Sequence, residues 1–282
     1  PFFLPSPRRP HLPFDSPSKY WSYYSLQDTE LAPYPHKPEN WGAAEYFAWD
    51  PESGPRHMGD VAAMNISLPY GEIPLEYGRQ MKLAYRASVS FVDALMGSIL
   101  NAVKEAGQWD DTTIIIIGDH GWQLSEHAEY GKKTNFEEAV RAPMLFKPAK
   151  NSAAYKLARE QQAKSKGITI EELSKAETVE RYSRGLGRTI QVRASNALVE
   201  FVDILPTLSQ LAGIAVPPLC PDDSRDVDLC TEGFSLVPLL ANPNATFRTA
   251  AFSQYPRCMH DINYPGYNGC QEPNDPHFMG YT

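Results

Sequence analysis

The sequence is poor in cysteine, and its 282 residues contain none before position 220. Cys220, Cys230, Cys258 and Cys270 lie in loop-like sequence, spaced by ten and twelve residues, with no CxxC pair among them. These spacings suit two local disulfides, Cys220–Cys230 and Cys258–Cys270, and therefore an oxidising compartment; zinc is the rival reading. A basic surplus is also missing. The net charge of −8 argues against a general nucleic-acid binder, which needs a positive face. No run approaches the roughly 20 apolar residues of a membrane span. The chain begins at Pro1, with no Met and no signal peptide, so it reads as a processed product or an excerpt.

At 42% apolar and 11% aromatic, the chain can bury a large core, as one big domain or one domain with an appendage. Its 25 prolines cluster in 1–74 and 206–276, which predicts long ordered loops there. Two sequons, Asn65-Ile-Ser67 and Asn244-Ala-Thr246, agree with a secretory route.

"PFFLPSP" (1–7) reads as a short buried strand broken at Pro5, and 8–73 as a loop-rich cover carrying Trp21, Trp41 and Trp49. From about Leu75 to Ala106, Met81, Tyr85, Val89, Val92, Leu95, Met96, Ile99 and Val103 recur at helical spacing, ending at Gly107. The run 112–118, with four consecutive isoleucines, predicts a strand buried on both faces. "APMLFKP" (142–148) predicts a second strand, "ALVEFVDILPTLSQLAG" (197–213) a helix and "AAFSQYP" (250–256) a last strand. Residues 150–193 carry ten Lys/Arg against five Glu, and Thr169-Ile-Glu-Glu172 is a capping box. That stretch reads as an exposed helical insertion, or as a landing strip for an anionic polymer. The order of elements predicts an α/β fold with a largely parallel sheet sandwiched by helices.

The strand 112–118 runs directly into Asp119 and His120, where ligands bind in open parallel sheets. A carboxylate there can hold a divalent cation, and the imidazole can join it or bind an oxyanion. Gly118 and Gly121 permit a tight turn. The plainer alternative is a capping Asp beside a satisfied His, but Lys132 and His11 argue against it. A polar cluster after so apolar a strand is costly unless paired or liganded.

"IIIIGDHGWQLSEHAEYGKKTNFEEAVRAPML" resembles the second signature region of sulfatases in the alkaline phosphatase superfamily. "RRPHLPF" (8–14), "NISLPYGEIP" (65–74), "ASVSFVDALMGSIL" (87–100), "VDILPTLSQLAGIAVPPLC" (202–220), "SQYPR" (253–257) and "MGYT" are similar to that family in the same order. The resemblance implies one sulfatase-like α/β domain over 1–282. It would carry a helical insertion at 150–195 and a disulfide-bearing loop region at 214–282, and be incomplete at both ends. It implies that Asp119 and His120 are metal ligands, calcium first, with zinc or manganese as alternatives. It makes Lys132 a sulfate contact and His11 the group beside the scissile ester oxygen. Trp122 and His127 could face the sugar or simply pack, and Arg257 could reach a substrate carboxylate or form a structural ion pair.

Two departures matter. The family's formylglycine, made from Cys in C-x-P-S-R or a similar motif, and its aspartate pair have no counterpart here. "CPDDSR" (220–225) has the wrong spacing, and Cys220 fits the local disulfide better. Arg8 and Arg9 also stand where the family has His and Lys. The implied function of the complete protein is sulfuric ester hydrolysis on 2-O-sulfated uronic acid residues of heparan or dermatan sulfate. It would act in the lysosome or outside the cell, while this chain alone should be inactive. The alternatives are a phosphodiesterase or phosphonate hydrolase of the same superfamily and a non-catalytic paralogue. The expected partners are a sulfated glycosaminoglycan and the remaining segments of the same protein.

Overall fold

The computed structural model describes residues 5–39, 63–64, 72–132, 134–175, 194–253, 257–258 and 278–279. Helices and strands are mixed along the chain, as in an α/β protein. The chain contacts divide it into two compact units: Pro1–Ala102 with Ile116–Met144 and Ser253–Thr282, and Val103–Ile115 with Leu145–Phe252.

The first unit is built along α2 (Leu75–Glu105), which follows the short α1 (Ser18–Trp21). Glu76 in its first turn and Lys104 in its last complement the helix dipole. Gly107, at φ +70°, ends it, with N–H groups of Gly107 and Gln108 returning to Lys104 and Val103. One face buries Gly78, Met81, Ala87, Ser88 and Val92. The proline-rich 5–39 makes contacts along this helix. Phe14 meets Tyr85 edge-on at 5.5 Å, Tyr20 meets Phe91 at 5.4 Å, and Tyr24 Oη lies 2.6 Å from Ser90 Oγ. By length and composition α2 could also cross a membrane, although the sequence holds no unbroken apolar run of that length.

The isoleucine strand differs from its sequence reading. β1 covers only Ile114–Ile117, its first three residues are partly buried, and Ile117 is 43% exposed. It pairs with β4 (Met144–Lys147) in a two-stranded sheet, so one edge lacks a neighbour among the described residues. The burial expected on both faces therefore does not occur here. The other described sheets are also two-stranded: β2 (Gln123–Leu124) with β3 (Tyr130–Gly131), and β5 (Arg257–Cys258) with β6 (Phe278–Met279), both antiparallel. Residues 250–253, expected to open a strand, have no regular structure, and 254–256 lie outside the described residues, as do 1–4.

In the second unit α4 (Ala153–Ser165), α5 (Ile204–Ala212) and α6 (Val237–Ala241) surround Ala154, Leu211 and Val237. The short α3 (Glu137–Val140) belongs to the first unit. The Thr169–Glu172 capping box forms, with Glu172 N donating to Thr169 Oγ1 at 3.1 Å and Thr169 N to Glu172 Oε2 at 2.8 Å. Most of the basic stretch beyond it, 176–193, lies outside the described residues. The helix expected over 197–213 starts later, with a single 3-10 turn at Phe201–Asp203, because Glu200 is extended and caps it. Asp203, fully buried, accepts N–H bonds from Glu200 and Phe234 at 2.8 Å and pairs with Arg248, which also pairs with Glu200. Burial pushes the Asp203 carboxyl up, and the Phe234 N–H opposes that shift. Gly213 at φ +72° closes α5. Cys220 and Cys230 are joined in a disulfide, the pair that their spacing suggested; Cys258–Cys270 falls outside the described residues.

Two glycines make a contrast that can be measured. A Cβ at Gly233 would lie 2.0 Å from the Val202 carbonyl oxygen, whereas one at Gly97, inside α2, would meet nothing within 4 Å. Gly233→Ala should destabilise the protein by about 1–3 kcal/mol. Gly97→Ala should stabilise it by roughly 0.5–1 kcal/mol. Urea midpoints of the two variants check both signs.

Candidate active site

The site is assembled by a small hairpin. In the register of β2 and β3, Gln123 pairs with Gly131 and Leu124 with Tyr130, which sets Trp122 across from Lys132 at the open end. Ser125 N donates to Glu129 O at 3.0 Å, and the chain turns through the 3-10 segment Glu126–Ala128. Ser125, His127 and Ala128 all have positive φ, a backbone region that costs non-glycine residues energy and persists only when surroundings enforce it. Here the enforcement is visible. His127 N donates to Tyr34 O at 2.6 Å, and its ring stacks on Tyr34 at 6.1 Å and on Phe136 at 4.8 Å. Tyr130 is buried against Gly78, where an added Cβ would sit 2.6 Å from the phenol oxygen. Burial pushes that phenol up to about 12.

Gly121 fixes the loop from β1 into the hairpin. Its N–H donates to Ala139 O at 2.7 Å, and a Cβ there would meet the Glu138 carbonyl oxygen at 1.9 Å. Gly118 N–H donates to Pro143 O at 3.0 Å. Asp119 and His120 are thus held between two backbone anchors. The Asp119 side chain is 88% exposed, and its Oδ2 lies 3.5 Å from His120 Nε2. His120 Nδ1 is 2.7 Å from Gly121 O; a carbonyl only accepts, so Nδ1 is the donor of this bond, and Nε2 is the ring nitrogen that faces Asp119.

His11 arrives from the N-terminal segment with its Nδ1 likewise turned to a backbone carbonyl, 2.8 Å from Leu12 O. Arg9 braces this turn, donating to His11 O at 3.1 Å and to Asp15 O at 3.0 Å, and pairing with the Asp15 carboxylate at 3.3 Å. The residue that departs from the family pattern is thus a local brace, which the sequence did not reveal.

His11, His120 and Lys132 converge on one ring. The Trp122 indole centroid is 6.2 Å from that of His11 and 6.3 Å from that of His120, and Lys132 Nζ sits over it at 5.8 Å. Trp122 itself is only 9% exposed, in the core with Phe14, Ile73, Met81, Leu124, Ala128 and Tyr130. Its ring therefore forms part of the packed core beneath the site. His127 is locked into its aromatic stack. Arg257 lies in β5, and its side chain is outside the described residues, as is Asn65. Asn244 is exposed.

Among the described residues no group of three or more His, Cys, Asp and Glu could hold a metal ion. Asp119 and His120 provide two donors. A carboxylate oxygen and an imidazole nitrogen 3.5 Å apart are both donor types that a divalent cation takes, so their chemistry fits part of a metal site. Calcium takes about six to eight oxygen ligands, so other groups must complete it.

Gly121→Ala should push the Asp119–His120 loop off its anchor, lowering the urea midpoint by about 1–3 kcal/mol equivalent. The emission of Trp122 should also shift red as its burial is lost. A second outcome depends on pH. Burial alone would raise the Glu72 carboxyl. The Lys37 N–H bond at 2.8 Å, the His36 imidazole at 3.0 Å and their charges outweigh it and hold the carboxyl below its ordinary value. A depressed carboxyl contributes its stability above the ordinary carboxylate pKa and loses it as pH falls through the lowered value. Acidification through that window should therefore free 34–37 and speed exchange of the Lys37 amide, and Glu72→Gln should produce the same at neutral pH. Hydrogen exchange reads both.

The family profile described as Sulfatase matches residues 1–214. Iduronate 2-sulfatases of Mus musculus and Homo sapiens are each 34% identical over the whole of this chain, which covers 50% of their length. The chain thus spans about half the length of the curated relatives it matches. A phosphonate monoester hydrolase from Silicibacter pomeroyi superposes with a TM-score of 0.51 at 23% identity, covering 89% of this chain and 39% of that one. A protein solved with its substrate D-glucosamine-2-N,6-O-disulfate superposes with a TM-score of 0.55 at 19% identity, covering 88% and 50%. These likenesses establish the fold, α/β of the alkaline phosphatase type. With three-quarters of its length matched by one family profile, the chain belongs to the sulfatase family.

Proposed function

We propose that this chain is the part of a sulfatase that binds the sulfate group and protonates the leaving alcohol, and that the whole protein hydrolyses 2-O-sulfated uronic acid residues of heparan or dermatan sulfate. The observation that carries the reading is the convergence of His11, His120 and Lys132 on one ring, in a chain aligned end to end with iduronate 2-sulfatases. Hydrolysis at sulfur spreads negative charge over the nonbridging oxygens, and the Lys132 ammonium stabilises it. The Nδ1 proton of His11 is committed to Leu12 O, so Nε2 is the atom that holds the proton passed to the leaving alkoxide. Asp119 and His120 are two ligands of the metal, calcium by the carboxylate's preference, which when bound stabilises the same developing charge. The nucleophile, a formylglycine, and further carboxylate ligands are expected from another segment of the protein. Arg257 is a candidate for the uronate carboxylate, and His127 stays within its aromatic stack.

The partners are the sulfated glycosaminoglycan and the rest of the same protein. Phe201, Val202 and Leu205, each more than two-fifths exposed, fit an apolar surface that another segment covers. The disulfide, and the exposed Asn244 sequon, support a secretory route to the lysosome or the cell exterior. A phosphonate or phosphodiester hydrolase is the second reading, favoured by the Silicibacter pomeroyi likeness. A non-catalytic paralogue is the third, and it gains if the upstream sequence lacks the formylglycine motif and the aspartate pair.

The whole protein should release sulfate from a 2-O-sulfated disaccharide and leave a phosphodiester intact. Lys132→Met should lower kcat by about a hundredfold or more, as expected when a charge-stabilising donor is lost. Turnover of the phosphodiester in preference to the sulfate ester would transfer the assignment to the second reading.

A further inference from the structure

Trp122 is only 9% exposed, and its Nε1 is fully buried with no hydrogen-bond partner among the described residues. A buried indole N–H ordinarily finds an acceptor, and leaving it unpaired costs about 1–3 kcal/mol. An aliphatic side chain would fill the same core position without that cost, so packing alone does not account for a tryptophan. What the indole adds is a large rigid face. Lys132 Nζ lies over that face at 5.8 Å, within cation–π reach, and arrives there because the hairpin register sets it across from Trp122. The imidazoles of His11 and His120 lean on the same ring at 66° and 43°, and Phe14 closes it edge-on at 5.9 Å. His11 and His120 are 109 positions apart in sequence, and both rings face this one indole.

We infer that Trp122 is a positioning residue: its indole face holds the Lys132 ammonium and spaces the His11 and His120 imidazoles before substrate arrives. The inference rests on the sulfatase reading for its catalytic consequence, but its structural part stands apart from that reading. A lysine has four rotatable bonds and loses much rotamer freedom when an anion binds it. Holding it over a ring beforehand moves that cost from the catalytic cycle into folding. Trp122 touches no reacting atom in this arrangement, because its one polar atom is sealed in the core.

The test uses the whole protein with lysine labelled at the ε-carbon. The Lys132 resonance is identified by its disappearance in Lys132→Arg. Ring current should displace it upfield of the other lysines in the unaltered protein; Trp122→Phe should keep a displaced resonance, and Trp122→Leu should return it to the common envelope. On a 2-O-sulfated disaccharide, Trp122→Leu should lower kcat by about tenfold to a hundredfold, more than it raises KM, the scale of a misplaced catalytic group. Trp122→Phe should recover most of that loss. A Lys132 resonance within the common envelope in the unaltered protein would overturn the inference, as would equal impairment of the Phe and Leu variants. If Trp122→Leu fails to fold, the unaltered resonance and the Phe variant decide. If the protein cleaves no sulfate ester, the sulfatase reading fails, while the resonance still supports or overturns the positioning.

Discussion

Everything at the site hangs on the indole of Trp122 at the mouth of the hairpin. A charged ammonium and two imidazoles lean on a flat apolar ring, and that ring is wedged among Phe14, Met81, Leu124 and Tyr130. Core side chains cannot shift without losing contacts on every side, because protein interiors are close-packed. The polar groups inherit this rigidity. Two side chains from distant parts of the sequence and one from across the hairpin thereby share a single geometric reference.

Backbone contacts fix the rest. Gly121 lets the Asp119–His120 loop lie directly on the carbonyl of Glu138, which no side chain would allow. Nearby, Ser125, His127 and Ala128 adopt a backbone region that glycine would enter freely, and the stack of Tyr34, His127 and Phe136 holds them there. Strain concentrated beside a cluster of imidazole, carboxylate and ammonium is the pattern expected where precise placement matters more than stability. Asp203 plays the comparable organising part in its own unit, a buried carboxylate satisfied by two N–H groups and Arg248, so its helix start and the Phe234 turn are tied to one side chain.

Much of this could be read from the sequence, for identifiable reasons. The long helix was legible because apolar residues recurred on one face and Gly107 ended it. Cys220–Cys230 was legible because short spacing leaves few choices. The isoleucine strand misled, because its composition describes the neighbours a strand expects, while burial depends on the neighbours it has; among the described residues β4 alone pairs with it. The helix over 201–212 began four residues later than its periodicity suggested, since the Glu200–Asp203 capping box overrides hydrophobic pattern locally. At the site, the residue types His11, Asp119, His120 and Lys132 stood out as chemistry. The supports did not: Phe14, Tyr34 and Phe136 are ordinary residues in sequence, Arg9 stood out only as a departure from the family pattern, and their roles exist only once the chain has folded. Trp122 read as a residue that could face the sugar or pack, and the structure puts its ring in the core.

The central claim is that these residues form the sulfate-binding half of a sulfatase centre. A crystal structure of the whole protein with inorganic sulfate and calcium tests it most directly. The expected result is sulfate oxygens within hydrogen-bond distance of Lys132 Nζ and His11 Nε2, beside a metal ion ligated by Asp119 and His120. Sulfate bound elsewhere, with Lys132 still over the Trp122 ring and no metal at Asp119, would contradict it.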